Sequence, residues 1–438
     1  MLLISLFHPE LIRGGAQQVC YELFEGLKEI DGVNPTLLAS VDSTYPALFK
    51  SGARITGFDG RRDEYLFLSR DYDYWWHRGT NPLLLKSFAE FLLLVKPDVV
   101  HFHHFLTLGL NLLPLTRRVL PEAKIVFTLH EFLAICAADG HMRRKSENAL
   151  CRFESQVRCH QCFPDHSPED FFLRKMWVQD NFSYVDVFTC PSKFMIEHYS
   201  KWGIPAQKLT HVTNGQRNYA SGGAKGIDTA GGQRNRFGFF GQMVDAKGVQ
   251  VLLEAVNILR NDGFIDFEVQ VNGGNFKFAS EKVRKEIEAF EQVEVGRSTE
   301  ERIVTFNGSY DVDGLYSRMS QVDWVVVPSI WWEIFALVIS EAWMFGRPVI
   351  CSNVGAMAER VSDGVDGLHF EMGNPHSLAA IMRRACTETG LWDRLAKGLP
   401  IPPGRERMVS EFLDVYGFVE GNERPGHREG QVPRHREI

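Results

Sequence analysis

The chain has 438 residues, enough for two domains of ordinary size, each with its own hydrophobic core. Hydrophobic residues make up 44% of the chain and charged residues 24%, proportions typical of a soluble globular enzyme. The net charge of −7 argues against general nucleic-acid binding. No run of about 18 apolar residues occurs, so no membrane-spanning helix is predicted.

The chain opens with the apolar run Met1–Phe7, which lacks a basic prefix and a small-residue cleavage site. We therefore interpret it as a first strand rather than a signal peptide and expect a cytoplasmic protein. Because the amino-terminal half is less acidic than the rest, peripheral contact with anionic lipid at the inner face of the membrane is the most that we expect. Eight cysteines without an export signal indicate reduced thiols or metal ligands rather than a disulfide framework.

Strand-like and helix-like runs alternate through the first half of the chain. Strands are predicted at 1–7, 99–102, 124–128 and 186–189, and helices at 16–29, 83–95, 108–119 and 169–182. This alternation predicts an α/β fold with parallel sheets and right-handed crossovers. We assign the first domain to residues 1–213, with a cysteine-containing insertion at about 136–167.

A polar, glycine-rich stretch at 214–235 has no periodicity and is interpreted as an interdomain linker. The alternation then restarts, which predicts a second domain over 236–400. A helix is expected within 401–420, and the tail 421–438 is predicted to be disordered.

Two glutamates, Glu333 and Glu341, follow the apolar strand Trp324–Pro328 in the second domain. The chain is predicted to turn there and enter a helix near Phe335, so both carboxylates would face the crevice at the carboxyl end of the sheet, where α/β folds bind ligands. The positive end of the helix and nearby backbone N–H groups would face an anion. Since carboxylates suit neutral sugar hydroxyls and the helix end suits phosphates, the pattern indicates a site for a sugar attached to a nucleotide.

Three other predicted strand ends carry residues that suit a ligand-binding site. Lys247 precedes the predicted helix Val249–Arg260, where its ammonium would face a diphosphate. Gly14 and Gly15 follow the first strand and permit close approach of a ligand, although their order is not the GxGxxG of dinucleotide-binding loops. His130 follows the predicted strand 124–128, where an imidazole can bond a hexose hydroxyl or shuttle a proton.

A histidine pair, His103 and His104, occupies a comparable strand end. Histidines in such positions are often structural, and both interpretations stay open for this pair.

An ordered set of motifs over about forty residues resembles the signature of family 4 of the glycosyltransferases. The set comprises Glu333 and Glu341 separated by seven residues, then Gly346-Arg-Pro-Val-Ile350, Gly355 with Glu359, and Asp363-Gly-Val-Asp-Gly-Leu368. The resemblance implies the GT-B fold, two Rossmann-like domains facing a cleft, with the C-terminal helix expected to return to the first domain.

The resemblance also implies an activity. It is retaining transfer of a hexosyl unit from a nucleoside diphosphate sugar to a glycan, a lipid-linked saccharide or a small molecule, in polysaccharide or glycoconjugate biosynthesis. No cofactor is expected for catalysis. A catalytically silent nucleotide-sugar-binding subunit, or a GT-B-like phosphorylase or epimerase, are the alternatives.

Individual residues inherit expected roles from the family. The catalytic residues implied are His130 and Glu333. The donor-binding residues implied are Gly14, Gly15, Gln242, Lys247 and Glu341. To these the turn before the predicted helix adds the backbone N–H groups of Phe335, Ala336 and Leu337, which would face an anion. Gln242 departs from the family pattern, which usually has arginine there, so the diphosphate clamp is expected to be weaker or completed elsewhere.

Four cysteines in the insertion suggest a structural zinc site outside the catalytic chemistry. They are Cys136, Cys151, Cys159 and Cys162, and the last two have the two-residue gap that lets a turn place two sulfurs on one ion. His160 or His166 could replace one thiolate. A set of reduced, uncoordinated cysteines explains the sequence equally well.

Overall fold

A computed structural model gives the fold. It describes residues 1–41, 45, 52–145, 149–217, 233–274, 278–298 and 301–418. The predicted disordered tail and most of the predicted linker lie outside these residues.

The first domain is built on an eight-stranded sheet. Its strands are β1 (Leu2–Ser5), β2 (Thr36–Val41), β3 (Ile55–Gly57), β4 (Glu64–Leu68), β7 (Val99–Phe102), β8 (Lys124–Thr128), β9 (Val187–Cys190) and β10 (Leu209–His211), while β5 (Tyr72–Asp73) and β6 (Arg78–Gly79) form a separate antiparallel pair. The sheet order is β10-β9-β8-β7-β1-β2-β4-β3, and every neighbouring pair is parallel except β3 with β4.

In the described part of the first domain, six helices accompany this sheet. They are α1 (Gly15–Lys28), α2 (Pro82–Val95), α3 (Leu112–Val119), α4 (Gln156–Cys162), α5 (Pro168–Phe182) and α6 (Lys193–Trp202), followed by a 3₁₀ turn at Ala206–Lys208. The side chain of Asn81 caps α2, and Ser167 forms a capping box with Asp170 at the start of α5. Both helices therefore begin where the sequence supplies a cap.

The predicted start of the third helix, at residue 108, is wrong. Gly109 has φ +109°, which an α-helix does not accommodate. The side chain of Asn111 also bonds the backbone N–H and carbonyl of Gly79 in the β5–β6 pair. The chain is therefore tied to that hairpin before it can enter α3.

The second domain is built on a six-stranded, fully parallel sheet. Its strands are β11 (Arg236–Phe240), β12 (Glu268–Asn272), β13 (Val304–Gly308), β14 (Trp324–Val327), β15 (Val349–Ser352) and β16 (Gly367–Phe370), in the order β13-β12-β11-β14-β15-β16. Its helices are α7 (Val249–Asn261), α8 (Glu281–Val295), α9 (Val312–Met319), α10 (Leu337–Met344), α11 (Gly355–Arg360), α12 (Pro375–Thr387) and α13 (Leu391–Lys397), with a 3₁₀ turn at Asp245–Lys247. Two parallel-sheet domains are the α/β architecture that the sequence predicted.

The last helix, α14 (Arg405–Tyr416), packs on α1 of the first domain. Nε of Arg405 donates to Oε2 of Glu22 at 2.7 Å, and the hydroxyl of Tyr416 lies 2.7 Å from Nδ1 of His101. The predicted return of the C-terminal helix to the first domain is confirmed.

The central strands β1, β7, β14 and β15 are buried along their whole lengths, as expected when helices cover both faces of a parallel sheet. Across the described ranges, no helix combines the length and the apolar character needed to cross a bilayer.

Candidate active site

Each sheet reverses its strand order at one point, and the predicted site residues follow the strands at these two points. In the first sheet the order reverses between β1 and β7, which precede Gly14 and His103 respectively. In the second it reverses between β11 and β14, which precede Lys247 and Glu333. Ligands of open α/β sheets bind in the crevice at such switch points, so the topology brings the predicted residues to a binding cleft.

Glu333 lies at the centre of a buried hydrogen-bond network. Its Oε1 accepts from Nζ of Lys247 at 2.6 Å, from Oγ of Ser329 at 2.7 Å and from Nε1 of Trp331 at 2.8 Å. Burial disfavours the charged carboxylate, but the charge of Lys247 and the three hydrogen bonds outweigh burial and lower the pKa of Glu333. The carboxylate is therefore ionised and fixed in orientation at neutral pH.

Glu341 lies in the second turn of α10 and has a weaker set of partners. Its Oε1 accepts from Nε2 of Gln216 at 3.3 Å. Burial raises its pKa, while the Gln216 hydrogen bond and the charge of Arg13 act in the opposite direction. Glu341 therefore retains capacity to bond further hydroxyl donors, as the expected contact with a ribose requires.

The turn before α10 differs from the predicted one in detail. The helix begins at Leu337 rather than near Phe335, because Ala336 takes the left-handed conformation with φ 58°. Arg360 holds this turn by donating to the carbonyls of Phe335 at 2.7 Å and Ala336 at 3.0 Å. Among the described residues, no side chain caps α10, so its N-terminal N–H groups are not used by a capping residue.

The glycine loop of the first domain approaches this helix. Gly14 is the N-cap residue of α1, and a Cβ on Gly15 would lie 3.7 Å from Cδ1 of Leu337. The loop thus lies across the cleft from the N-terminus of α10. Gln242, in contrast, has an exposed side chain just after β11.

The histidines form a buried cluster at the ends of β7 and β8. Nε2 of His130 lies 3.0 Å from Nδ1 of His103, and Nε2 of His104 lies 3.6 Å from Oε1 of Glu131. Burial, reinforced by the neighbouring imidazoles, holds the pKa of His130 and of His103 well below the usual value. Both rings are therefore neutral at pH 7. Because a lowered pKa also makes an imidazole a weak base, His130 is better suited to hydrogen bonding than to proton transfer.

Two contacts join the domains beside the cleft. The carboxylate of Glu359 accepts from the backbone N–H groups of Lys193 at 2.9 Å and Phe194 at 2.7 Å, at the start of α6. Nε1 of Trp332 donates to the carbonyl oxygen of Cys151 at 2.9 Å. The loop that carries Glu333 is thus anchored to the first domain.

Several residues that shape the site have no role in the predictions from the sequence. Gln216 and Arg13 act on Glu341, and Arg360 holds the turn before α10. Arg13 adjoins the glycine pair, and this adjacency was a usable signal. Gln216 and Arg360 reach their partners only through the folded chain, so no local pattern marks them.

The four cysteines of the insertion line one small cavity of the first domain as free thiols. Within the described residues, no group of three or more His, Cys, Asp or Glu side chains is already arranged to hold a metal ion.

Two family profiles cover most of the chain. Residues 13–216 match Glycosyltransferase Family 4, and residues 234–388 match Glycosyl transferases group 1. The chain belongs to the family 4 glycosyltransferases. This assignment agrees with the resemblance that the motifs around Glu333 and Glu341 indicated.

Curated relatives match this chain over part of their lengths. An uncharacterized glycosyltransferase of Methanocaldococcus jannaschii is 35% identical over 144 residues, covering 32% of this chain and 36% of the relative. A D-inositol 3-phosphate glycosyltransferase of Salinispora tropica is 30% identical over 185 residues, covering 41% of this chain and 37% of the relative. The matched segments thus span little more than a third of these relatives.

Solved structures match this chain over nearly its whole length. Anabaena HepE in complex with UDP aligns with a TM-score of 0.64 at 15% identity, covering 95% of this chain and 99% of HepE, and it is also solved with UDP-glucose. Sucrose-phosphate synthase from Thermosynechococcus elongatus aligns with a TM-score of 0.62 at 17% identity, covering 95% and 96% of the two chains. These likenesses establish the GT-B fold.

Proposed function

We propose that this protein is a retaining hexosyltransferase that moves a sugar from a nucleoside diphosphate donor to an acceptor bound mainly by the first domain. The observation that carries the proposal is the ion pair of Glu333 with Lys247 at the strand-order switch of the second sheet, beside Glu341 and the N-terminus of α10. At this point two carboxylates, which suit sugar hydroxyls, lie beside a cation and a helix end, which suit phosphates.

The barrier of such a reaction lies in separating an anionic diphosphate from an oxocarbenium-like sugar. Lys247 and the positive end of α10 would stabilise the departing diphosphate. Glu341 would bond the ribose and Glu333 the hexose, which fixes the geometry of the reacting centre. A neutral His130 would donate or accept a hydrogen bond at a hexose hydroxyl.

Retention of configuration is proposed from the family resemblance, in which front-face attack by the acceptor hydroxyl is the usual account. For the donor, we propose a UDP-hexose, because a structural neighbour is solved with UDP and with UDP-glucose. Acceptor chemistry is proposed only as a hydroxyl of a glycan, a lipid-linked saccharide or a small molecule.

We further propose a cytoplasmic location with at most peripheral membrane contact. Three apolar side chains of α5, those of Phe172, Leu173 and Met176, are exposed and would suit such contact. Vesicle sedimentation with neutral and anionic lipids would test this point separately from the activity.

A thermal-shift screen with UDP, GDP, ADP and dTDP sugars tests the donor class before any acceptor is known. We expect a UDP-hexose to raise the melting temperature of the wild type, because a ligand that binds only the folded state stabilises it. Glu341→Gln should reduce the shift. No shift with any of the four nucleotide sugars would contradict the proposal.

Product analysis then distinguishes the alternatives. Transfer to an acceptor supports the hexosyltransferase, and transfer to inorganic phosphate identifies a phosphorylase. Conversion of the donor without an acceptor identifies an epimerase. Tight donor binding without any turnover would favour the silent subunit, which Gln242 in the usual arginine position keeps in consideration.

A further inference from the structure

Three separate segments of the first domain bring four cysteines to one small cavity, of about 30 Å³. Cys136 lies in the turns after β8, and Cys151 lies across the following loop, where its N–H donates to the carbonyl of Met142 at 2.7 Å. Cys159 and Cys162 lie one turn apart on α4. A cavity of this size admits a single ion or water molecule.

The thiols are close enough to influence one another. Burial raises the pKa of Cys159 to about 11, and nearby Cys136 and Cys151 add to the rise. Burial likewise raises the pKa of Cys136 and Cys151, and Cys162 acts on both in the same direction. As free thiols, Cys136, Cys151 and Cys159 are uncharged at neutral pH, whereas a divalent cation among them would favour the thiolates.

A buried cation beside the cavity lacks an evident counter-charge. Arg174 is 2% exposed and donates to the carbonyl oxygens of Leu133 at 2.7 Å and Ala134 at 3.1 Å, while its Nε has no partner. Within the described ranges it forms no ion pair with a carboxylate. Glu131 and Glu154 are near enough to act on Arg174, but Glu131 lies beside His104 at 3.6 Å and Glu154 pairs with Lys175 at 3.3 Å instead.

A buried charge without a partner of opposite sign destabilises the folded protein, so a nearby anion would stabilise Arg174. Cys136 and Cys159 are among the groups whose negative charge would act on this guanidinium. Four thiolates around a divalent ion carry a net negative charge and would supply the missing partner. This requirement is independent of the spacing of the cysteines in the sequence.

We propose that Cys136, Cys151, Cys159 and Cys162 bind one zinc ion as four thiolates in a closed structural site. Thiolate ligands in a tetrahedral set favour zinc, and binding releases the four thiol protons to solvent. Since the described residues hold no preformed metal-binding group, the sulfurs must turn inward by rotation about their Cα–Cβ bonds.

Neither nearby histidine is a better ligand than the cysteines. Nδ1 of His160 bonds the carbonyl oxygen of His166 at 2.7 Å. The ring of His166 stacks on Trp75, with ring centroids 3.6 Å apart and planes 3° from parallel. The structure therefore favours four sulfur ligands over three sulfurs and one histidine.

The site lies next to the donor-binding loop. The carbonyl oxygen of Cys151 accepts from Nε1 of Trp332, and Trp331 donates to Glu333. His141, in the same insertion, packs edge-on against Trp331 with centroids 5.3 Å apart. Zinc would thus fix the insertion that supports Glu333, a consequence that rests on the proposed function.

Metal analysis of the full chain, purified without a histidine tag, tests the site directly. We expect about one zinc per chain, as a closed four-thiolate site requires. Cobalt exchanged into the wild type should give an intense thiolate-to-cobalt charge-transfer band. Absence of both zinc and this band would overturn the proposal, as would a thiol titration in denaturant that finds a disulfide among the eight cysteines.

A double variant, Cys159→Ser/Cys162→Ser, should lose the zinc, melt at a lower temperature and bind UDP-glucose more weakly. The matched control is Cys386→Ser, which changes a half-buried cysteine of α12 in the second domain and should keep its zinc. Zinc retained by the double variant would overturn the site. If the double variant does not fold, the cobalt spectrum of the wild type decides. Neither metal readout depends on transferase activity, so failure of the site and failure of the proposed function are distinguishable.

Discussion

Nζ of Lys247 lies 2.6 Å from Oε1 of Glu333, and this ion pair joins the loop after β11 to the loop after β14. The Glu333 side chain is 5% exposed and the Lys247 side chain 28%. The pair holds the ammonium group of Lys247 at the crevice, but the carboxylate of Glu333 also neutralises its charge there. On the proposed function, an incoming diphosphate would share Lys247 with Glu333, and the balance between the two anions would set the donor affinity.

Lys247→Met should destabilise the protein and weaken donor binding. It leaves a buried carboxylate without its charged partner, which costs about 1.5–3 kcal/mol. The folded-state pKa of Glu333 lies below 4.5 in the wild type, so the pair stabilises the fold above that pH and is lost as pH falls through the lowered value. Denaturant titrations should therefore show a smaller difference in unfolding free energy between the wild type and Lys247→Met at pH 4 than at pH 7.

The matched control for this variant is Lys282→Met on α8. Its side chain is 84% exposed and pairs loosely with Glu286 at 3.8 Å. Surface pairs of this kind contribute little, so its stability should match the wild type at both pH values. Equal effects of the two lysine variants would contradict the role given to the buried pair.

Glu333→Gln and Glu341→Gln should leave the protein folded but reduce donor turnover, with the larger effect on nucleotide affinity at Glu341. Loss of one charged hydrogen bond to a sugar hydroxyl costs about 1.5–3 kcal/mol, or roughly ten- to hundred-fold in turnover. Steady-state kinetics and calorimetric titration with UDP would separate the two effects. Wild-type kinetics in both variants would mean that the paired glutamates have no part in the reaction.

The sequence predicts several of the strands and helices, because apolar periodicity and caps are local. The strands at 99–102 and 124–128 are confirmed to the residue. The start of α10 is not predictable in this way, because Arg360, far along the chain, stabilises the left-handed Ala336. The contact of Glu359 with the N-terminus of α6 likewise depends on how the two domains meet. Local patterns find the residues that follow strands, but not the partners that orient them.

Transfer should continue in EDTA without added magnesium or manganese, because on the proposed function Lys247 and the N-terminus of α10 supply the positive charge that stabilises the diphosphate. Asp311, the first aspartate of Asp311-Val-Asp313, caps α9 by accepting from the N–H of Gly314 at 2.7 Å. Calcium-saturated EDTA is the matched control. Activity lost in EDTA and restored by magnesium or manganese would contradict the prediction, whereas restoration by zinc alone would indicate the cysteine site.

Glu131 should make the folded state less stable as pH rises. Burial raises its pKa from 4.5 to about 8, so the folded protein binds more protons than the unfolded chain between these values. The slope contributed by this one group reaches at most about 1.4 kcal/mol per pH unit. Buried histidines act in the opposite sense, so the quantity to measure is the difference in unfolding free energy between the wild type and Glu131→Gln from pH 5 to pH 8.

We expect Glu131→Gln to gain stability relative to the wild type as pH rises through this window. Glu388→Gln is the control, because the pKa of Glu388 is lowered by hydrogen bonds from Arg384 and Arg394 and this residue does not titrate there. A difference that does not change with pH would mean that Glu131 titrates near its ordinary value.

Gly248→Ala should disrupt the loop that positions Lys247. Gly248 has φ +68°, and a Cβ at this position would overlap the carbonyl oxygen of Pro328 at the end of β14. Gly390→Ala is a matched control, because Gly390 has φ +72° with no atom within 4 Å of the added Cβ. Gly390→Ala should lose only the cost of placing a non-glycine residue in the left-handed conformation, about 1 kcal/mol of unfolding free energy. Gly248→Ala should lose more than this. Unfolding free energies from denaturant titration give the comparison, and UDP-glucose binding should fall for Gly248→Ala alone. Equal losses in the two variants would show that the β11 loop and β14 do not need this close approach.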